Sequence, residues 1–157
     1  MKLTLNDSRH ILFAATGCYS GYSPVMPGTA GSIAAIPICL IFMLMPAWMN
    51  TLSVAALILF SIWICDQAEK ILGEKDPGCI VLDEIAGMVV TLSGVAPGFT
   101  NIMAGFVLFR FFDILKPWPI KNLETIFKGG AGIVADDIGA GIYASIMLNV
   151  LLINGII

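Results

Sequence analysis

"TLSVAALILFSIWIC", residues 51–65, carries no charged side chain, and it sits in a longer interval, from Arg9 to Asp66, without Asp, Glu, Lys or Arg. Two more intervals, Glu84 to Arg110 and everything after Asp137, are equally free of charge. A spanning helix needs about 20 predominantly apolar residues, with about 17 as the lower limit. Residues 33–49 run apolar into Pro46 and Asn50, which signal a turn, and 51–65 return, so the pair predicts a tight helical hairpin. Residues 85–96 then lead out, "APGFTN" turns, 102–115 lead back, and 138–157 form a final span. The segments 85–96 and 102–115 are short for full crossings; tilt, local thinning or a re-entrant path would accommodate them.

Composition agrees with these intervals. The 157 residues are 58% hydrophobic and 12% charged, with a mean hydropathy of +0.92. Soluble domains are about half apolar and about a quarter charged, so the expectation is a membrane protein. The predicted fold class is all-α: a small multi-span helical membrane bundle with one polar face, forming a single domain over residues 1–157. The start, "MKLTLNDSRH", lacks a long apolar core and an A-x-A-like site, so no signal peptide is expected. "NDSRHILFAATGCY" reads as a short interfacial helix, with Asn6 or Asp7 as N-cap and Gly17 as stop.

Charge gives the orientation. On the predicted path all eight basic residues, Lys2 and Arg9 included, and all eleven acids fall on one side, while "PAWMN" and "VAPGFTN" on the other side carry none. The positive-inside rule makes that polar face cytoplasmic, with the N-terminus inside and the C-terminus outside. A net charge of −3 with scattered basic residues gives no reason to expect nucleic acid as a partner. Cys18, Cys39, Cys65 and Cys79 form no C-x-x-C pair and are expected to be reduced, structural thiols. A single histidine, His10, excludes paired-histidine chemistry. The oligomeric state is not readable from the sequence.

Four stretches carry candidate chemistry. "GYSPVMPGTAGS", residues 21–32, places Ser23, Thr29 and Ser32 hydroxyls beside backbone N–H groups at a helix start, a place suited to phosphate, although a turn and an N-cap would look the same. "KDPGCIVLDEIAG", residues 75–87, offers Asp76 in a turn and Asp83 and Glu84 at a helix start, where the helix dipole alone would favour acids. Adjacent helical residues diverge by about 100°, so at least one of that pair is expected to point into the bundle. "FRFFDILKPWPI", residues 109–120, sets Arg110, Asp113 and Lys116 at i, i+3, i+6, one polar stripe on an apolar helix, and charges within a span are functional by default. An Arg110–Asp113 pair that merely neutralises itself is the plainer reading. "KGGAGIVADDIGAGIYAS", residues 128–145, gives a glycine loop, Asp136 and Asp137 opening the last span, and small residues for close helix contact.

The predicted topology brings all four stretches to one membrane boundary. Five or six carboxylates at one depth repel unless something positive sits among them, and oxygen ligands without His or Cys point to Mg²⁺. Acids for a metal, with hydroxyls and cations for phosphate, describe a site for phosphoryl chemistry.

In order and spacing, "GYSPVMPGTAGSIAAIP", "DPGCIVLDEIAGM", "GFVLFRFFDILKPWPI" and "GGAGIVADDIGAGIYA" resemble the bacterial phosphatidylglycerophosphatase A family over nearly the whole chain. The resemblance implies a multi-pass, Mg²⁺-dependent enzyme of the bacterial inner membrane, with its site facing the cytoplasm. It would hydrolyse phosphatidylglycerophosphate to phosphatidylglycerol and phosphate. Catalytic acids would then be drawn from Asp76, Asp83, Glu84, Asp113, Asp136 and Asp137, with Asp83, Glu84, Asp136 and Asp137 as candidate metal ligands. Ser23, Thr29, Ser32, Arg110 and Lys116 would hold phosphate, and Asp76 or Asp113 would serve as general acid. Asp66 is left outside the set. The alternative is a transporter or ion relay using buried acids and Arg110, which would favour internal repeats that are not visible here. The D-G-x2-A-R signature of CDP-alcohol phosphotransferases and the D-x-D-x-T of haloacid-dehalogenase-type phosphatases are both missing.

Overall fold

In the computed structural model residues 5–157 are described, the side chains of residues 5, 6, 124 and 125 excepted, so Lys2 lies outside them. Every regular element among them is helical. The order is α1 (Leu5–Ala15), a single 3₁₀ turn at Ser20–Tyr22, α2 (Pro27–Ala34), α3 (Ile36–Met43) and α4 (Ala47–Leu72). Then come α5 (Leu82–Leu92), α6 (Phe99–Leu115), α7 (Ile120–Ile126) and α8 (Gly130–Ile153). Asn6 and Asp7 lie within the first turn of α1, which already begins at Leu5, so neither is its N-cap.

The predicted hairpin is present with shifted ends. Its first arm starts at Pro27, preset for a helix's first position, and follows a left-handed Met26. The arm breaks at Ala35 into α2 and α3, because Pro37 has no N–H to continue the ladder. Its second arm, α4, runs past Cys65 to Leu72, so Asp66 is helical and pairs with Lys70 at 2.5 Å. Asn50 closes the turn: its amide donates to the Phe42 carbonyl at 2.7 Å, and its carbonyl accepts from Ser93 Oγ across the bundle.

Two helices, α4 and α8, are long and apolar enough to cross a membrane. Only 22% of the most apolar window of α4 is buried, against the near-complete burial of a soluble core helix. Leu52, Leu59, Trp63, Val107 and Ile146 stand exposed on the flanks, an exterior that lipid solvates and water does not. Trp48 and Trp118 project at opposite ends, as membrane–water boundary residues do. The segment expected at 85–96 is different in kind. Helix α5 has 11 residues, nine of them buried, and its length of roughly 16 Å is about half a hydrocarbon core. It is the axis of the bundle, with α8, α4, α6 and α3 packed around it.

The most extensive packing is between α5 and α8. A Cβ on Gly141 would stand 2.5 Å from the Gly87 carbonyl oxygen, and one on Gly87 would stand 2.8 Å from the Asp137 carbonyl oxygen. The two backbones therefore touch directly, as small-residue crossings permit. Thr91 Oγ1 donates to the Gly87 carbonyl at 2.9 Å and lies 3.4 Å from that of Gly141.

Candidate active site

One turn before each of the two crossing glycines stands an acid: Asp83 before Gly87, and Asp137 before Gly141. The crossing thus fixes the spacing of carboxylates from two helices. Oxygens of Asp83, Glu84 and Asp137 lie within 4.8 Å of one another. Asp83 and Glu84 occupy the first turn of α5, where free N–H groups favour negative charge, and Asp83 Oδ1 accepts from the Glu84 N–H at 3.0 Å. Asp136 and Asp137 do not open the last helix. α8 begins at Gly130, which places both acids about two turns inside it, at 5% and 4% exposure, where capping cannot explain them.

Asp136 is turned from the trio by about 100° of helix. Its Oδ2 accepts from Lys116 Nζ, and its Oδ1 is buried without a hydrogen-bond partner among the described residues. Lys116 reaches it because α6 ends at Leu115 before Pro117, and Lys116 itself is left-handed at φ 40°. It therefore leaves the predicted i, i+3, i+6 stripe. Burial alone would lower the Lys116 pKa, but the bond to Asp136 and the nearby Asp137 and Asp113 carboxylates raise it above the ordinary lysine value, so the side chain stays cationic. Arg110 and Asp113 remain on the stripe and pair at 2.6 Å.

These groups share one cavity of ≈ 370 Å³, which Asp76, Asp83, Glu84, Arg110, Asp113 and Lys116 line together with Asp136 and Asp137. All six acids and both cations singled out by sequence meet there. Ser23, Thr29 and Ser32 do not line it. Ser32 Oγ donates to the Gly28 carbonyl at 2.8 Å, and Ser23 Oγ to that of Val25 at 2.9 Å. The stretch still contributes through its backbone, since Met26, Pro27 and Gly28 form one wall. A side chain at position 28 would overlap Glu84 Oε1 and stand 3.1 Å from Arg110 Nη1. The N-terminus of α2, with its unpaired N–H groups, therefore closes directly over the carboxylate and the guanidinium.

Two buried carboxylates, Asp83 and Asp137, and a half-buried one, Glu84, this close repel one another strongly in a low-dielectric setting. Glu84 Oε2, like Asp136 Oδ1, is buried without a hydrogen-bond partner among the described residues. An all-oxygen set with one orphaned acceptor, Glu84 Oε2, fits a hard divalent cation such as Mg²⁺. Asp83, Glu84 and Asp137 are the residues placed to hold one.

Fold and site together define a helical, membrane-associated protein with an acidic cavity at one end. The sequence matches the phosphatidylglycerophosphatase A family over residues 13–152, and the chain belongs to that family. It is 39% identical to phosphatidylglycerophosphatase A of Escherichia coli K12 over 145 residues, 92% of this chain and 83% of that protein. It is 36% identical to the Haemophilus influenzae protein of the same name, covering 94% of this chain and 90% of the relative. A Bacteroides thetaiotaomicron relative, named provisionally as a phosphatidylinositol-3-phosphatase, is 39% identical over 86% of this chain and 89% of its own length. No solved structure matches the chain.

Proposed function

We propose that the chain hydrolyses phosphatidylglycerophosphate to phosphatidylglycerol and inorganic phosphate in this cavity. The observation that carries the reading is the Asp83–Glu84–Asp137 cluster beside Arg110 and Lys116, within a chain of the phosphatidylglycerophosphatase A family. Asp83, Glu84 and Asp137 would hold Mg²⁺. When bound, the ion supplies positive charge against the charge developing on the phosphoryl group, and it makes water more acidic.

The chain's own groups do the rest. Arg110 and Lys116, with the N–H groups opening α2, bind and orient the phosphate oxygens. Asp113 holds the Arg110 guanidinium in place at 2.6 Å. Asp76, which lines the cavity from the α4–α5 loop, delivers a proton to the departing glycerol oxygen. The apolar walls Ile80, Ile114 and Ile133 limit water around the reacting phosphate.

The direct test is phosphate release from micellar phosphatidylglycerophosphate, with Mg²⁺ and with excess EDTA. Release with Mg²⁺ and its loss in EDTA are expected. No release in either condition from folded protein would overturn the reading, as would faster release from phosphatidylinositol 3-phosphate.

The chain lies in the bacterial inner membrane with the cavity facing the cytoplasm. The support is charge: the basic residues from Lys70 to Lys128 lie at the cavity end, and the turns at 44–46 and 93–98 carry none. A cysteine replacing exposed Trp48, with Cys18 and Cys79 changed to Ser, is expected to react with an impermeant thiol reagent added outside the cell. Reaction only after lysis would reverse the orientation.

A further inference from the structure

The acidic cavity has a neighbour. Asp76 and Ile133 line both it and a second cavity of ≈ 370 Å³, whose walls include Lys75, Lys128, Glu69 and Phe127. Phe127 in turn lines a third space, an apolar groove of ≈ 300 Å³. Ile58 and Ile62 of α4 form one side of that groove, Leu123 of α7 caps it, and α8 forms its floor from Ala131 to Ile142. The floor is low because Ala131, Ala135 and Gly139 follow one another at i, i+4, i+8. Along the helix axis it is roughly 16 Å long, about half of a ~30 Å hydrocarbon core and so the depth of one leaflet.

Polarity changes in a fixed order along these spaces: acids with Arg110 and Lys116, then a chamber with two lysines, then an apolar trough. A phospholipid with a phosphomonoester headgroup has the same order: terminal phosphate, glycerol and diester phosphate, then acyl chain. We propose that the three spaces are one substrate track, with the diester phosphate held by Lys128 and Lys75 and one acyl chain lying in the α4–α8 groove. Glu69 and Asp76 share the middle chamber, so its lysines recognise the diester by position and do not draw anions in by net charge. Asp76, at the junction, lies beside the glycerol oxygen that leaves. The inference rests on the proposed function and adds to it where specificity comes from: the site reads two phosphates and a chain.

Two substitutions away from the acids and their cations test it. Lys128→Ala, in a loop, and Ala135→Phe, which fills the trough, are each expected to raise KM for long-chain phosphatidylglycerophosphate about tenfold or more, as losing a charged contact or a buried chain does. Turnover at saturation stays within about threefold, because the interactions lost are those of binding. KM within about twofold of wild type in both variants would overturn the track.

A second readout is independent of turnover. Phosphatidylglycerophosphate with a photoreactive group near the end of one acyl chain should label the peptides containing Ile58–Ile62 and Ala131–Ile142, and Ala135→Phe should abolish that labelling. Labelling instead on the separate apolar groove at Phe99, Met103 and Val107, or evenly over the exterior, would sink the proposal. A wild-type protein that hydrolyses the lipid but labels elsewhere refutes the track alone; one that releases no phosphate refutes the function.

Discussion

Asp137→Asn lowers phosphate release by a factor on the order of 10²–10⁴, the several kcal/mol that a weakened cation site loses, without weakening the fold. Asn keeps the volume and removes the charge. Asp137 is 4% exposed and shares its space with Asp83 and Glu84, so the substitution relieves repulsion among three crowded carboxylates. In EDTA the variant should therefore melt at or above the wild-type temperature. With Mg²⁺ the wild type gains stability by mass action, and the variant should gain little. Turnover and melting measured on one preparation separate a ligand from a structural acid. If turnover stays near wild type, or if stability in EDTA falls along with it, Asp137 does not hold the cation.

Gly141→Ala is the smallest change expected to cost about a hundredfold. The added Cβ would lie 2.5 Å from the Gly87 carbonyl oxygen, where ordinary contact begins at 3.4 Å. The obstacle is backbone, so the helices must part by most of an ångström. Asp137 and Asp83, one turn away on the two partners, move apart with them, and a misplacement of about 1 Å can cost on the order of 10²-fold. Alanine is the better helix former by about 1 kcal/mol, so helix content should hold. Gly105→Ala is the matched control: it too lies within a helix, α6, but its Cβ meets a side-chain end, Leu92 Cδ2 at 2.6 Å, and no backbone. Circular dichroism and turnover on both variants decide the matter, and equal activity in the two would mean the crossing does not set the carboxylate spacing.

Much of this site was legible because charge is rare in the chain. Each acid in "LDEIAG", "FRFFD" and "ADDIG" interrupts an apolar run, and burial requires such groups to find partners. The order of apolar intervals likewise gave the hairpin, although α5 was read as a path outward when it is the buried axis. Hydropathy counts apolar residues without distinguishing those that face lipid from those that face protein.

The hydroxyls of "SPVMPGTAGS" illustrate a second limit. Their spacing suggests ligands, yet Ser32 bonds back to the carbonyl four residues earlier, a choice open to any helical serine in apolar surroundings. The start of α8 illustrates a third. "KGGAG" reads as a flexible loop, but Gly130 packs so closely against Ile62 and Asp66 that the helix begins there. The two acids thereby move from a cap into the interior. Lys116 found its partner 20 residues away only because a proline ended α6 and turned the chain.

The exposed apolar flanks around a polar cavity at one end also bear on how the reaction runs. Substrate on such a protein arrives sideways through a two-dimensional sheet, and its effective concentration is a mole fraction of lipid. The products then separate by solubility: the headgroup, left with only its phosphodiester charge, stays with its chains in the leaflet, and phosphate passes into water. Parting the products between two phases makes it rare for them to meet again at the site, and so reinforces the direction that the excess of water already gives the hydrolysis.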